Sequence, residues 1–172
     1  MQIINQQLNS DEIVLVQNWI KQTPNIIFYS QKELARFDSD QVLKVIVNGE
    51  LAAVCILKNI LKNVSRTNKF EEIAVLVVAD KYQNQGIASQ LFATAVRQIK
   101  SRNKTIYTTS RHPKVIHLAT KLGFEKVKLQ QLPLEINLDN FGYILSFGRI
   151  KEHFRKLKQF PNQPNFIYLI KK

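Results

Sequence analysis

The sequence is poor in the residues that cross-link a fold or hold a metal ion. Its 172 residues include one cysteine, Cys55, and three histidines, His112, His117 and His153. One cysteine excludes an internal disulfide framework and a zinc site of paired cysteines, and Cys55 itself lies in an apolar run and is expected to be inert packing. The histidines show no metal-ligand spacing with carboxylates. We therefore expect a protein without metal, in a reducing, cytoplasmic compartment.

Long apolar stretches are also absent. No run of 18 apolar residues occurs, and no basic stretch followed by an apolar one opens the chain. We therefore expect neither a membrane-spanning helix nor a signal peptide, and no membrane partner. Hydrophobic residues make up 45% and charged residues 22% of the sequence, which excludes disordered and low-complexity classes. The length predicts one domain over residues 1–172.

Acidic residues are scarce in the second half of the chain. Residues 1–86 hold nine basic and nine acidic residues, whereas residues 87–172 hold 16 basic and four acidic ones, so the whole net charge of +12 lies there. Such asymmetry is typical of a protein with a polyanionic partner: a phosphorylated cofactor, nucleic acid or an anionic surface. A solubilising charged face would explain it equally well, so charge alone does not identify the chemistry.

The first half of the chain predicts helices followed by a hairpin. Ser10 and the two acidic residues after it are typical of an N-cap and first helical turn, and Pro24 ends that helix. The pair Asn48-Gly49 is the strongest short hairpin signal. The predicted elements are this first helix, a short helix over 31–37, strands over Val42–Val47 and 51–60, and a polar loop over 62–69.

The second half alternates strands and helices. Residues 73–79 form an uninterrupted apolar run, which predicts a central strand buried on both faces. Pro113 suits the first turn of a helix, and Gly123 suits its C-cap. The predicted elements are a strand over 70–79, a helix over 86–100, a strand over 105–109, a helix from Pro113 to Gly123, a strand over 124–129, a basic amphipathic helix over 149–160 and a strand over 166–170. This order predicts a mixed α/β sheet.

A polar bend joins the central strand to the next helix, over Gln83-Asn84-Gln85-Gly86-Ile87-Ala88-Ser89. Unpaired amides at the start of the helix, together with the helix dipole, make such a bend a ready site for a pyrophosphate. Gly86 lets the backbone approach a ligand closely. The bend lacks the Lys-Ser/Thr pair of a nucleoside-triphosphate P-loop, and one glycine is too few for a dinucleotide fingerprint.

Two motifs in this region resemble the GCN5-related N-acetyltransferase (GNAT) superfamily. The segment from Gln83 to Ala88 fits the family signature Gln/Arg-x-x-Gly-x-Gly/Ala at the start of a helix after a central strand. Near the end of the next helix, Lys121-Leu122-Gly123-Phe124 fits a second family element, with Leu118 at its apolar position. The resemblance covers residues 42–129, with both motifs in the expected order.

The resemblance implies an α/β fold with a mixed, mostly antiparallel sheet flanked by helices, in which a splayed pair of strands holds the arm of CoA. It implies acetyl-CoA as co-substrate, no metal, and direct transfer to a primary amine in a ternary complex. An amide near Leu76 or Val77 would face the thioester oxygen. The implied cofactor-binding residues are Gln83, Asn84, Gln85, Gly86, Ile87, Ala88 and Ser89 for the pyrophosphate, Leu76, Val77 and Val78 for the pantetheine arm, and His112 where the family often has an asparagine.

The acceptor amine needs a base, because an amine of pKa about 10.4 is almost fully protonated at pH 7 and its ammonium form has no lone pair. Glu72 lies eleven residues before Gln83, the spacing of the catalytic glutamate in the histone-acetyltransferase branch of the family. The resemblance therefore implies Glu72, rather than Glu71, as catalytic base, and apolar neighbours would raise its pKa. The alternative is a charged residue that only solvates the start of the strand.

One position departs from the family pattern. Many members carry a tyrosine in the second motif that protonates the departing thiolate, and Ala119 stands at the matching position. His117 or Tyr107 could substitute, although both could equally be structural, and a thiol of pKa about 8.5 leaves tolerably without help. The identity of the general acid stays open.

The acceptor cannot be read from the sequence. Residues 130–165 are the segment that varies most within the family and are expected to form part of the acceptor wall, with a terminal strand over 166–172. The net charge disfavours basic protein tails and favours an aminoacylated RNA, a ribosome-bound protein N-terminus or a small amine. Two non-enzymatic alternatives stay open: a nucleic-acid-binding module that uses the basic segment 149–158, and a CoA-liganded interaction protein. An oligomer is possible.

Overall fold

The structure is a computed structural model that describes residues 1–26, 28–60, 69–144, 147–162 and 164–172. Its helices are α1 (Ser10–Gln22), α2 (Gln31–Leu34), α3 (Ile87–Ser101), α4 (Pro113–Lys121), α5 (Leu134–Ile144) and α6 (Phe147–Gln159). Its strands are β1 (Gln2–Asn5), β2 (Val42–Val47), β3 (Glu50–Asn59), β4 (Phe70–Val78), β5 (Thr105–Ser110), β6 (Glu125–Val127) and β7 (Ile167–Lys171). All of the predicted loop over 62–69 except Lys69 lies outside the described residues.

A seven-stranded sheet organises the fold, in the order β1-β2-β3-β4-β5-β7-β6. Neighbouring strands are antiparallel except β4 and β5, which run parallel. Alternate residues of β3 belong to two core clusters, one shared with α3 and α4 and the other with α1 and α2. Because successive strand residues point to opposite faces, these helix pairs cover opposite faces of the sheet. The predicted mixed, mostly antiparallel sheet flanked by helices is confirmed.

Local sequence signals predicted the hairpin turn correctly and the start of α1 to within one residue. The β2–β3 hairpin turns at Asn48 and Gly49, whose φ angles of 51° and 80° match the positive values that a type I′ turn requires. The cap of α1, however, is Asn9 rather than Ser10. The Asn9 side chain accepts a hydrogen bond from the Glu12 amide, and the Glu12 carboxylate accepts one from the Asn9 amide, both at 2.9 Å. This reciprocal capping box fixes the start of the helix one residue earlier.

Strand β4 lies at the centre of the sheet and contributes buried side chains to the cores on both faces, as predicted: Ile73 to the cluster shared with α3 and α4, and Val75 and Val77 to the cluster shared with α1 and α2. Its residues alternate between half-buried and buried along the whole strand. The register against β3 shifts at Ala74, which is an extra residue on the β4 side. A bulge of this kind bends a strand and interrupts its pairing. Beyond it, the half-buried side chains of Leu76 and Val78 pack against the core shared with α3 and α4 and also line an open cleft.

Two predicted elements are shorter than expected. Of the strand predicted over 124–129, only β6 forms. Phe124 is not part of it, because its amide bonds to the Ala119 carbonyl at 3.0 Å and closes the end of α4. The helix predicted over 31–37 ends at Leu34, and the amides of Arg36 and Phe37 bond three residues back in a tighter turn.

The sequence did not predict β1 or α5. Helix α5 follows Pro133, whose carbonyl accepts hydrogen bonds from the amides of Ile136 and Asn137, both at 3.1 Å. Together α5 and α6 lie between β6 and β7 in the chain. Ile136 is fully buried in a third core cluster with Tyr107 and Ile170, so α5 packs against the sheet on the β5–β7 side. Among the described helices, none combines the length and apolar character needed to cross a lipid bilayer.

Candidate active site

The candidate site is a cleft that opens where β4 and β5 separate. The two strands pair only between Phe70–Glu72 and Thr105–Tyr107. Just beyond, the Thr108 hydroxyl donates to the Ile73 carbonyl at 2.9 Å. The cleft has a volume of about 370 Å³ and is lined by residues from β4, the bend after it and the first turns of α3 and α4. The strands therefore form the splayed pair that the resemblance implies.

The bend after β4 is shaped by its own side chains. Asn84 and Gly86 have left-handed φ angles of 61° and 76°. The Gln83 side chain donates to the Val78 carbonyl at 3.3 Å and to the Asp80 carboxylate at 2.7 Å, and the Gln85 side chain donates to the Lys81 carbonyl at 3.1 Å. These two glutamines therefore brace the bend with their side chains.

Helix α3 begins at the cleft with free amides. Its N-cap is Gly86, and no side chain of the described residues caps it. The amides of Ile87, Ala88 and Ser89 thus have no acceptor within the helix, and the helix dipole adds roughly half a positive charge at this end. A Cβ on Gly86 would meet nothing closer than the Gln90 amide nitrogen at 4.0 Å. The glycine is needed for its left-handed φ rather than for lack of space.

The structure brings ten of the eleven predicted cofactor-binding residues to the lining of this one cleft. Gln85 is the residue outside the lining, in keeping with its turned-back side chain. His112 lies at the N-cap of α4, where its Nδ1 accepts from the Lys114 amide at 3.2 Å. The ten lining residues are Leu76, Val77, Val78, Gln83, Asn84, Gly86, Ile87, Ala88, Ser89 and His112.

Sequence reasoning missed several lining residues. Three of them could have been predicted, because they lie on the same turn or helix as predicted residues: Tyr82, Lys114 and Val115. Lys114 also ties the two sides of the cleft together, because its ammonium donates to the Asn84 side-chain oxygen at 3.0 Å. Thr23 carries no such signal, since it reaches the cleft from the end of α1 through tertiary packing alone.

A smaller cavity of about 90 Å³ continues from the cleft into the gap between the strands. Its lining includes Ile73 and Ala74 of β4 and residues 108–110 of β5. Thr23, Asn25 and Ile26 close it from the side of α1. We call residues 23–30, which join α1 to α2, the α1–α2 loop; residue 27 of it lies outside the described residues. The loop covers the place where the strands part.

Glu72 lies at the last paired position of β4, opposite Tyr107 of β5. Its carboxylate is 3.8 Å from the Lys58 ammonium, which in turn is 2.5 Å from the Asp139 carboxylate of α5. Only 14% of the Glu72 side chain is exposed. Burial raises the pKa of Glu72, and Asp139 raises it further, while the positive charges of Lys58 and Arg149 oppose the shift. A carboxyl group with a raised pKa is a stronger base than an ordinary glutamate, which suits it to accept a proton.

The three positions considered for a general acid differ sharply in their surroundings. Tyr107 is fully buried, and its hydroxyl oxygen accepts from the Asn140 amide group at 2.9 Å. Burial, and next the charge of Glu72, raise the pKa of Tyr107. His117 is exposed and lines grooves beside the cleft rather than the cleft itself. Ala119 is fully buried in the core. Of the three, Tyr107 is the one that adjoins Glu72.

No group of three or more metal-ligating side chains occurs among the residues that the structure describes. The basic segment of α6 also has an unexpected role. Arg155 and Lys156 donate hydrogen bonds to carbonyl oxygens of α1 and the loop after it, and Arg149 pairs with Glu33 of α2. Much of its positive charge therefore faces the protein's own chain.

Comparison with known proteins identifies the family. The sequence matches the Acetyltransferase (GNAT) family over residues 12–124, and no curated protein matches it. Among solved structures, N-acetylglutamate synthase from Neisseria gonorrhoeae, complexed with coenzyme A and N-acetyl-glutamate, is 16% identical with a TM-score of 0.69; the match covers 99% of this chain but only 35% of the synthase.

Two further structures match along nearly their whole length. Rv2747 from Mycobacterium tuberculosis, in complex with CoA, is 9% identical with a TM-score of 0.68, over 99% of this chain and 98% of that one. The ribosomal-protein-S18-alanine N-acetyltransferase from Escherichia coli is 17% identical with a TM-score of 0.60, over 98% and 91%. Identities this low establish a shared fold alone. With the family match over residues 12–124, they establish that the chain belongs to the GNAT acetyltransferase family.

Proposed function

We propose that this protein transfers an acetyl group from acetyl-CoA to a primary amine by direct attack within a ternary complex. The observation that carries the proposal is the cleft itself, which joins the uncapped N-terminus of α3 to the gap between β4 and β5. The amides from Ile87 to Ser89 would bind the pyrophosphate, and the unpaired edge of β4 around Leu76–Val78 would bind the pantetheine arm. The thioester would then lie in the gap.

The chemistry needs one proton removed before the amine can react. Glu72 would accept it from the acceptor ammonium, directly or through a water molecule. The amine nitrogen then attacks the thioester carbonyl, the new C–N bond forms, and the C–S bond breaks as CoA leaves as thiolate. A main-chain amide near Leu76 or Val77 would stabilise the oxyanion. The proton released from the nitrogen reaches solvent or the thiolate.

Properties of other GNAT structures support an amine acceptor. One neighbour is a ribosomal-protein-S18-alanine N-acetyltransferase, and another is a NatC complex bound to a peptide and CoA. The synthase structure holds N-acetyl-glutamate. We infer that the acceptor here is a small-molecule amine, or a primary amine linked to a protein or an RNA.

The test is CoA release with a panel of acceptors: amino acids, polyamines, peptides with different N-termini, and aminoacylated RNA. Wild type and Glu72→Gln are assayed by thiol appearance, to which the buried Cys55 should not contribute. We expect turnover of at least one acceptor by wild type, a large loss in the variant, and intersecting initial-rate lines that indicate a ternary complex. Parallel lines would contradict direct attack.

A catalytically weak module that binds CoA is the second candidate. It is favoured by Ala119, whose position offers no hydroxyl to protonate the thiolate. Absence of turnover on the whole panel, with CoA binding retained, would support it. The nucleic-acid alternative loses part of its basis, because Arg149 and Lys156 of the basic segment bond within the protein. Salt-dependent RNA binding lost in Lys151→Gln/Lys158→Gln, both exposed positions, would restore it.

A further inference from the structure

Lys156 of α6 is buried although it carries a charge at neutral pH. Only 8% of the residue is exposed. Its ammonium donates to three backbone carbonyl oxygens: Ile20 at 2.7 Å, Thr23 at 2.6 Å and Ile26 at 2.5 Å. Since an ammonium has three donors, all of them are used. The acceptors belong to the C-terminal end of α1 and the start of the α1–α2 loop, where the helix dipole also favours a cation.

Two more basic side chains of α6 bond to the same stretch of chain. Arg155 donates to the Lys21 carbonyl at 2.9 Å. Arg149 donates to the Phe28 carbonyl at 3.4 Å and pairs with Glu33. Arg149 and Lys156 are seven residues apart, so they project from one face of the helix, two turns from each other. Helix α6 thus holds both ends of the α1–α2 loop.

The loop held in this way is the one that covers the reacting centre of the proposed enzyme. Thr23 lines both the main cleft and the smaller cavity, and Asn25 and Ile26 line the cavity. The opposite walls of that cavity are Ile73 and Ala74 of β4 and residues 108–110 of β5. An acceptor amine that enters this cavity would therefore contact the loop.

We propose that α6 is a strap that fixes the α1–α2 loop over the gap between β4 and β5, and that Lys156 is its main positioning residue for the acceptor amine. The acceptor part rests on the proposed function; the strap itself does not. Lys156 itself lines neither the main cleft nor the smaller cavity. It sets the position of Thr23, Asn25 and Ile26, and through them the shape of the opening that the acceptor enters.

The protonation state of Lys156 is consistent with this role. Burial lowers its pKa to about 8, with Arg155 and Arg111 adding to the shift and Glu152 opposing it. At pH 7 the side chain is therefore still mainly charged and keeps all three donors. The three carbonyl oxygens replace the water that burial removes.

The test compares Lys156→Met with Lys158→Met, which removes an exposed lysine from the same helix. We expect amide hydrogen exchange over residues 20–30 to become about tenfold faster in Lys156→Met and to stay unchanged in Lys158→Met. With the acceptor found by the panel assay, the KM for the amine should rise about tenfold in Lys156→Met, with a smaller change in kcat. The affinity for CoA, measured by calorimetry, should stay within about twofold.

Arg149→Met is the second variant, in case Lys156→Met does not fold. It removes the other end of the strap and should accelerate exchange at residues 28–33 in the same way. Wild-type exchange rates in the loop of either folded variant would overturn the strap. An unchanged amine KM in a variant whose loop exchanges faster would overturn the acceptor role. If wild type turns over no amine, the proposed function fails. The exchange rates still test whether α6 fixes the α1–α2 loop.

Discussion

Glu71 and Glu72 are neighbours in β4, yet they have entirely different partners. The Glu71 carboxylate is fully buried between Arg102 at 2.5 Å and Lys104 at 3.3 Å. The Glu72 carboxylate has Lys58 at 3.8 Å and lies beside Tyr107. Because successive strand residues point to opposite faces, one glutamate is directed towards a structural ion cluster and the other towards the α5 side of the sheet. Substituting each of the two glutamates therefore tests a different role.

Replacing Glu72 with glutamine should impair chemistry without harming the fold. The amide has nearly the same shape but cannot accept a proton, so we expect kcat/KM to fall by about 10² to 10⁴. Stability to urea should change by less than about 1 kcal/mol, since glutamine keeps the shape of the side chain and removes a charge that burial already disfavours. CoA affinity should be retained. Activity equal to wild type would remove Glu72 from the mechanism.

Replacing Glu71 with glutamine should have the reverse effect. The variant leaves Arg102 and Lys104 without their buried counter-charge, and breaking such a cluster typically costs about 3 kcal/mol. We expect a clear fall in the urea midpoint with kcat/KM close to wild type in the folded protein. If Glu71→Gln instead lost activity at full stability, the two glutamates would have been assigned the wrong way round.

The pH dependence of activity should respond to the charges around Glu72. The base must be ionised, and burial raises the pKa of Glu72, so kcat/KM should fall on the acid side below this raised pKa. Among the residues that the structure describes, the charged and titratable groups facing it are Lys58, Tyr107, Asp139 and Arg149. Lys58→Met removes a charge that lowers the pKa of Glu72, so the acid limb should move to higher pH.

Asp139→Asn is the matched opposite. It removes a negative charge that raises the pKa of Glu72, so the acid limb should move to lower pH. Full pH profiles of kcat/KM with one acceptor, for wild type and both variants, check the two directions. An acid limb that stays in place in both would mean that it reports the acceptor amine rather than Glu72.

Local signals in the sequence predicted the parts of the site that lie close together in the chain. Gly86, with its required left-handed φ, and the strand–bend–helix around it were readable because the residues that shape them are neighbours. Thr23 was not readable, because its place in the cleft depends on tertiary contacts such as the hydrogen bond from Lys156, more than 130 residues away. The basic residues of α6 were visible in the sequence. Tertiary packing, however, determines that several of their side chains point towards carbonyl oxygens rather than solvent.

The bulge in β4 and helix α5 were unpredictable for a related reason. Nothing in the local sequence marks Ala74 as a bulge, because it is an extra residue only in the register between β4 and β3. In α5, Ile136 is buried and Asp139 pairs with Lys58, so the helix is held by contacts with distant strands. When tertiary contacts rather than helix propensity stabilise a helix, the sequence pattern alone does not predict it.

Cys55 should be inert in the folded protein. The residue is fully buried in β3, and burial raises the pKa of its thiol, so almost no thiolate is present at pH 8. We expect no reaction with a disulfide reagent over an hour under native conditions and one equivalent in denaturant. Rapid native labelling would mean that β3 opens readily, and would also invalidate the thiol-release assay as described.

Gly86→Val tests the phosphate-binding bend with Gly49→Val as its control. Both glycines have left-handed φ angles, 76° and 80°, and both have open space where a side chain would lie, so each change should cost about 1 to 2 kcal/mol of stability through backbone strain. Only Gly86 is the N-cap that leads into the first amides of α3, so only Gly86→Val should weaken CoA binding, by about tenfold or more in calorimetry. Equal CoA affinity in the two variants would show that the pyrophosphate is not bound at this bend.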